Sequence, residues 1–251
     1  MEKMEERRMS LIEHLTELRR CLITSVIAIG IGFMAAFYFS ERILQFLIAI
    51  IKPGSRPEFI FLSPAEALWA NFKIALFAGI ILALPVVLYE VWRFISPGLY
   101  KQERHYGLPF IIFGVIFFGV GLLFCYFVVL RFAMDFLLTY KTANLRPMLS
   151  IGAYLDFIMK FFLAFGLIFE LPLVIIFLTK IGLLTPEFLA KKRKYAILIN
   201  FIIAAILTPT PDIFNQALMA GPLIILYEIG IIGAKIFCRE RKKKGEEVST
   251  I

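Results

Sequence analysis

Three glutamates sit where a carboxylate can do more than solvate a surface. Glu170 lies in Phe165-Gly166-Leu167-Ile168-Phe169-Glu170-Leu171-Pro172, within a long apolar run and with no basic residue a helical turn away. A charge placed mid-membrane costs about 2.5–3.5 kcal/mol even on insertion scales. Such a side chain is buried against protein, protonated, or facing water. Pro172 has no N–H, so it frees the carbonyl of Ile168 beside it. Glu17 lies in Ser10-Leu11-Ile12-Glu13-His14-Leu15-Thr16-Glu17-Leu18-Arg19-Arg20, just outside the first apolar run. Glu103 lies in Trp92-Arg93-Phe94-Ile95-Ser96-Pro97-Gly98-Leu99-Tyr100-Lys101-Gln102-Glu103-Arg104, a loop in which Phe94 and Tyr100 bracket a Ser-Pro-Gly turn. Each of the last two also has a plain reading: Glu17 as one charge in a Glu/Arg flank, Glu103 as a helix-capping acid beside Arg104.

Other reactive groups do not assemble. There is no H-E-x-x-H and no G-x-S-x-G. His14 and His105 are isolated, and Cys21, Cys125 and Cys238 have no metal-site spacing; their odd number argues against a disulfide framework. No catalytic residue, cofactor or metal is expected. Asp156 and Lys160 are four apart, acid first, the favourable order for a pair within one helix. Glu90 and Glu228 read as rim charges near helix ends.

The elements that carry these residues are membrane helices. Apolar residues make up 60% of the 251, charged ones 18%, and 27 are Phe, against about 45–50% and 25% in soluble domains. So much apolar surface needs lipid as its solvent. The reading is an all-α integral membrane protein with six transmembrane helices. They are placed at Cys21 to Phe39, Leu68 to Trp92, Leu108 to Leu130, Tyr154 to Ile181, Tyr195 to Leu207 and Ala217 to Phe237. Each full span needs about 20 residues, so the fifth is unusually short. Pro85 predicts a kink in the second span. Leu11, Leu15, Leu18 and Leu22 fall on one helical face, which predicts an amphipathic helix along the cytoplasmic surface over residues 1–20. Residues of about 21–237 form the six-helix core and 238–251 a basic tail. No short apolar run with a cleavage site follows the first twenty residues, so the first helix is read as the anchor. Ile43 to Ile51 is apolar but too short to span, and is expected to lie flat on the outer surface. Thr208-Pro209-Thr210-Pro211-Asp212 is a tight turn, with Asp212 placed to cap the sixth helix.

Orientation follows from basic residues. Arg19, Arg20, Arg93, Lys101, Arg104, Lys180, the Lys191–Lys194 run and the Arg239–Lys244 tail share one side, which makes that side and both termini cytoplasmic. This asymmetry accounts for the net charge of +8 without nucleic acid; anionic lipid is the partner it fits. No internal repeat is visible, which disfavours the alternative function, a proton- or ion-coupled secondary transporter with Glu170 as carrier.

Taken in order, these stretches resemble a family. Leu11 to Arg20 looks like the His-Leu-x-Glu-Leu-Arg motif of TatC, the large membrane subunit of the Sec-independent, twin-arginine protein translocase. Phe94 to Arg104 resembles that family's first cytoplasmic loop. Ala164 to Pro172 resembles its fourth-helix motif, Leu207 to Phe214 its Thr-Pro-Pro-Asp turn, and Leu226 to Gly230 its final-helix pattern. The resemblance covers about residues 10 to 238. Ser10 stands where the family has Pro, the first outer loop lacks a Pro, and Thr210 is inserted between the turn prolines.

The resemblance implies a receptor in the cytoplasmic (inner) membrane, not an enzyme. It implies binding of signal peptides with two adjacent arginines, assembly with the single-span partners TatA and TatB in an oligomeric complex, and export of folded proteins with the proton-motive force. It implies a signal-peptide site of Glu17, Arg19, Phe94 and Glu103, and a partner site in the membrane at Glu170. Carboxylates suit this role, since bidentate pairing separates Arg from Lys.

Overall fold

The computed structural model describes residues 11–51, 58–99, 104–139, 148–207 and 213–249. The long apolar runs fold as helices because a helix satisfies its own backbone hydrogen bonds where no water can. α1 (Leu11–Phe37) is followed by α2 (Ser40–Ile48) and α3 (Glu66–Ile95). α4 (Gly107–Phe124) passes through a π-helical turn at Cys125–Leu130 into α5 (Arg131–Thr139). Then come α6 (Ile151–Phe169), α7 (Leu171–Lys180), α8 (Pro186–Lys191), α9 (Arg193–Leu207) and α10 (Ile213–Ser249).

Five helical stretches among the described residues are long and apolar enough to cross a membrane: Ile12–Phe37, Glu66–Gly98, Arg104–Leu138, Ile151–Lys180 and Met219–Ile236. This is a mostly helical, multi-pass membrane protein. α9, the expected fifth span, is 15 residues long, roughly 22 Å at 1.5 Å per residue, and is not one of the five.

Two expected boundaries move. The amphipathic start and the first apolar run form one unbroken helix, α1, instead of a separate surface helix followed by a span. The third stretch runs past Leu130 to Leu138, since the π-helical turn carries it through Arg131 without a break.

α6 is the central helix. Its Leu155, Ile158, Phe161 and Phe165 are fully enclosed, and α4 meets it through glycines. A Cβ at Gly121 would stand 2.7 Å from the Phe165 carbonyl oxygen, and one at Gly166 would stand 2.5 Å from the Phe118 ring. α1 approaches α3 just as closely: a Cβ at Gly79 would stand 2.5 Å from the Phe33 nitrogen. Only glycine permits these backbone approaches, as at helix contacts in membranes generally.

The end of the molecule where α3 and α6 begin holds what the sequence did not predict. One face of the Ile43 to Ile51 stretch packs into the protein, while Phe46 stays exposed. Leu47, Ile50 and Ile51 are buried in the main core. Tyr154 Oη donates to the Leu47 carbonyl at 2.8 Å, and the Phe46 and Tyr126 rings stack at 4.6 Å. β1 (Glu58–Ile60) and β2 (Met148–Ser150) pair in parallel, with Phe59 opposite Leu149. Glu66 closes this end: its carboxylate accepts from Gly152 N at 2.8 Å, from Leu62 N and from the Ser150 hydroxyl. The negative charge sits at the start of α6, where the helix dipole favours it.

The expected Asp156–Lys160 pair is not formed. Asp156 instead binds Lys73 of α3 at 2.5 Å, and Lys160 Nζ donates to the Ile206 carbonyl at 2.8 Å. The second contact places a cation on the last turn of α9, where its carbonyls lack helical partners.

Candidate functional site

The basic ends of α1 and α3 come together, because the two helices pack along their length through Gly32 and Gly79. On α1, His14, Glu17 and Cys21 follow one another at helical spacing on one face. On α3, Glu90 and Phe94 do the same. The His14 and Phe94 rings stack with centroids 4.3 Å apart and planes 21° from parallel. This joins the amino-terminal stretch to the last turn of α3, where the second stretch singled out in the sequence begins.

One turn further in lie the carboxylates. Glu17 is half-buried, and its Oε2 is enclosed with no hydrogen-bond partner. Glu90 is 3% exposed, and its Oε2 is likewise unpartnered. Arg93 Nη1 stands 3.6 Å from Glu90 Oε1, too long for a hydrogen bond. The Cys21 thiol hydrogen-bonds the Glu90 carboxylate, with Arg93 and Glu17 within electrostatic reach. Glu90 is therefore not the rim charge its position suggested; the α1–α3 contact buries it.

The loop is anchored from behind. Ser96-Pro97-Gly98 forms a 3₁₀ turn, with Leu99 N donating to the Ser96 carbonyl at 3.1 Å. Trp92, Leu99 and Phe177 form a separate buried cluster, against which Tyr106 and Phe110 pack. Lys180 Nζ rests 3.4 Å from the Tyr106 ring centroid, a cation–π contact. Of the predicted site residues, Glu17 and Phe94 are thus brought together through His14, and Arg19 is exposed on α1. Glu103, Pro209, Pro211 and Asp212 lie outside the described residues.

Glu170 forms a second polar position, apart from the first. It is the single turn residue between α6 and α7; Pro172, two residues on, occupies the first turn of α7, where a missing N–H costs nothing. It lies roughly 7 Å toward the α7 end from the middle of the Ile151–Lys180 stretch, at 1.5 Å per residue. Its Oε1 is enclosed without a hydrogen-bond partner. The carboxylate faces α4, where a Cβ at Gly114 would stand 3.5 and 3.6 Å from its two oxygens and 2.7 Å from Leu88 of α3. Glycine at 114 therefore leaves the space the carboxylate uses. Glu228, the other expected rim acid, pairs with Arg193 at 2.7 Å and ties α10 to the start of α9.

A profile for the Sec-independent protein translocase protein (TatC) matches residues 13–222. The chain belongs to the TatC family. The match takes in the α1 stretch, the loop after α3, and Glu170. The TatC of Desulforapulum autotrophicum is 45% identical over 247 residues, covering 98% of this chain and 91% of the relative. That of Aquifex aeolicus is 45% identical over 238 residues, covering 94% and 98%. A crystal structure described as the twin-arginine translocase receptor TatC superposes with a TM-score of 0.78 at 44% identity, covering 90% of this chain and all of that one. The chain is thus a protein-transport component of the Sec-independent translocase family.

The sequence put Glu90 at a rim, although it precedes Phe94 by four residues on a helix and so shares its face.

Proposed function

We propose that this chain is the signal-peptide receptor of a twin-arginine translocase. In this reading, Glu17 and Glu103 bind the two guanidinium groups, Arg19 and Phe94 border the site, and Glu170 receives a transmembrane helix of a TatA- or TatB-type partner. The observation that carries it is the His14–Phe94 stack, which brings the α1 stretch holding the unpartnered Glu17 Oε2 to the last turn of α3, ahead of the loop that contains Glu103 in sequence. A carboxylate held without a partner at a helix end is prepared for a cation supplied from outside, because making the missing charged hydrogen bonds is worth about 1.5–3 kcal/mol each.

Orientation belongs to the same proposal. Both termini face the cytoplasm and the chain lies in the inner membrane, because the basic residues gather at the end where α1 starts and α3 stops. α9 joins the five long stretches as a membrane-inserted helix, fifth of six in chain order and too short for an unperturbed core of about 30 Å; the bilayer thins beside it. Export of folded proteins is driven by the proton-motive force. The secondary-transporter alternative gains no support, since the family profile, relatives and solved structure that the chain matches are all TatC proteins.

Photocrosslinking tests the receptor reading. A photoreactive amino acid in place of Phe94 should capture a radiolabelled twin-arginine signal peptide in membrane vesicles. Excess unlabelled twin-arginine peptide should abolish the adduct. No adduct, or one that competitor leaves unchanged, would remove the loop from the site.

A further inference from the structure

We infer that Glu90 is a specificity-determining residue of the receptor site, a buried carboxylate that accepts one arginine guanidinium of the incoming peptide. The inference rests on the receptor reading above and adds to it an acceptor from the membrane side of the His14–Phe94 stack.

Three observations carry it. First, the Glu90 side chain is 4% exposed, yet its Oε2 has no hydrogen-bond partner. A buried acceptor left empty is an unfavourable state that a donor from outside relieves. Second, Glu17 Oε2 is enclosed and empty in the same way, and both glutamates lie within electrostatic reach of one atom, the Cys21 thiol. The two empty oxygens therefore belong to a single α1–α3 mouth. Third, the cation paired with Glu90 among the described residues is itself a guanidinium. Arg93 Nη1 stands 3.6 Å away, near enough to balance charge but too far to bond. Arg93 thus stands beside Glu90 and the Cys21 thiol bonds its carboxylate, while Oε2 stays without a partner.

The geometry favours arginine over lysine. A guanidinium presents several donors in one plane and can bridge two oxygens at once; an ammonium is a compact, strongly hydrated charge that loses more on entering a dry site. Glu90 lies deeper than Glu17, so the ligand atom that reaches it must leave water further behind. The His14–Phe94 stack stands one helical turn outward of both carboxylates, by the spacings 14 to 17 and 90 to 94. Entry of the guanidinium displaces that pair.

The test is a binding cycle on the full-length chain in lipid nanodiscs. The probes are synthetic signal peptides identical except at the pair: Arg-Arg, Lys-Arg and Arg-Lys. The variants are Glu90→Gln and, as the internal standard, Glu17→Gln. Both keep side-chain shape, and circular dichroism with thermal melting checks the fold. Glu90→Gln should weaken the Arg-Arg peptide about tenfold or more. The loss should largely vanish with one of the two mixed peptides, the one already lacking the arginine that Glu90 receives. A structural fault would weaken all three peptides alike. If Glu17→Gln weakens binding while Glu90→Gln leaves it unchanged, or weakens all three equally, the Glu90 inference is overturned and the receptor reading stands. If neither variant alters binding, or the wild type does not prefer Arg-Arg, the receptor reading fails and takes this inference with it.

Discussion

Replacing Glu170 with alanine should abolish export while leaving signal-peptide binding at the α1–α3 mouth intact. The carboxylate sits at the α6–α7 junction with one oxygen enclosed and unpartnered, facing Gly114 of α4 and Leu88 of α3. The chain's own described residues offer that oxygen no donor. A polar group on a partner's transmembrane helix can supply one, and such a bond in a membrane is worth about 0.6–2 kcal/mol. The energy is modest, but it is specific to position, since the surrounding helix surfaces are apolar and fix no register. Alanine removes the bond and the recognition with it. Glutamine keeps the shape and the hydrogen bonding but cannot titrate. Export retained by Glu170→Gln assigns the residue to partner docking; export lost by both variants assigns it to proton transfer. Transport assays on membrane vesicles, paired with crosslinks from neighbouring positions to the partner helix, read both. Full export by the alanine variant with crosslinks unchanged would leave Glu170 a structural residue at a helix junction.

The double variant Glu17→Ala/Glu103→Ala should lose twin-arginine peptide binding with helical content unchanged. Removing one partner of a fully engaged charged pair costs about 2–5 kcal/mol, and a wet site lowers that. Even the lower figure, taken once, is roughly a thirtyfold loss of affinity. The two sites share one peptide, so the double loss takes binding out of the measurable range. Glu17 contributes through its enclosed, unpartnered Oε2. Glu103 enters on the family resemblance and on its place in the loop that continues from Phe94. Fluorescence anisotropy with a labelled peptide measures the loss, and circular dichroism verifies the helices. Peptide affinity equal to wild type in the double variant would end the assignment of both residues.

The long helices were legible because lipid imposes a minimum apolar length that few soluble segments match. Their ends were less so. Arg131 reads as a stop, yet the helix winds through a π-turn and continues to Thr139, since an arginine near an interface can extend its charge to water. Lys73, Asp156 and Lys160 show a different failure. Spacing favours Asp156–Lys160 by a few tenths of a kcal/mol, but packing brings Lys73 and the carbonyl end of α9 within bonding distance. The short strands at 58–60 and 148–150 carry no alternation long enough to detect, and their partners lie about 90 residues apart in sequence.

Glu17 and Glu170 were singled out from their positions, and Phe94 as a site residue through the family resemblance; the structure stacks Phe94 on His14 and sets Glu170 against Gly114. Glu90 was misjudged because depth along a helix does not reveal which face the next helix covers. Glu66 was passed over for a related reason: its partners, Ser150 and Gly152, come from a distant stretch of chain.

The central claim is recognition of an arginine pair by carboxylates at the mouth between α1 and α3. Its most direct measurement is the affinity of the wild-type chain in nanodiscs for two signal peptides that differ only in Arg-Arg against Lys-Lys. Charge and apolar length are the same in both, and binding to protein-free nanodiscs, subtracted for each peptide, removes the different lipid affinities of arginine and lysine. The account predicts binding at least about tenfold tighter for Arg-Arg, the scale of one charged hydrogen bond. Equal affinity for the two would contradict it, since a site that reads only positive charge has no need of carboxylates held in fixed geometry.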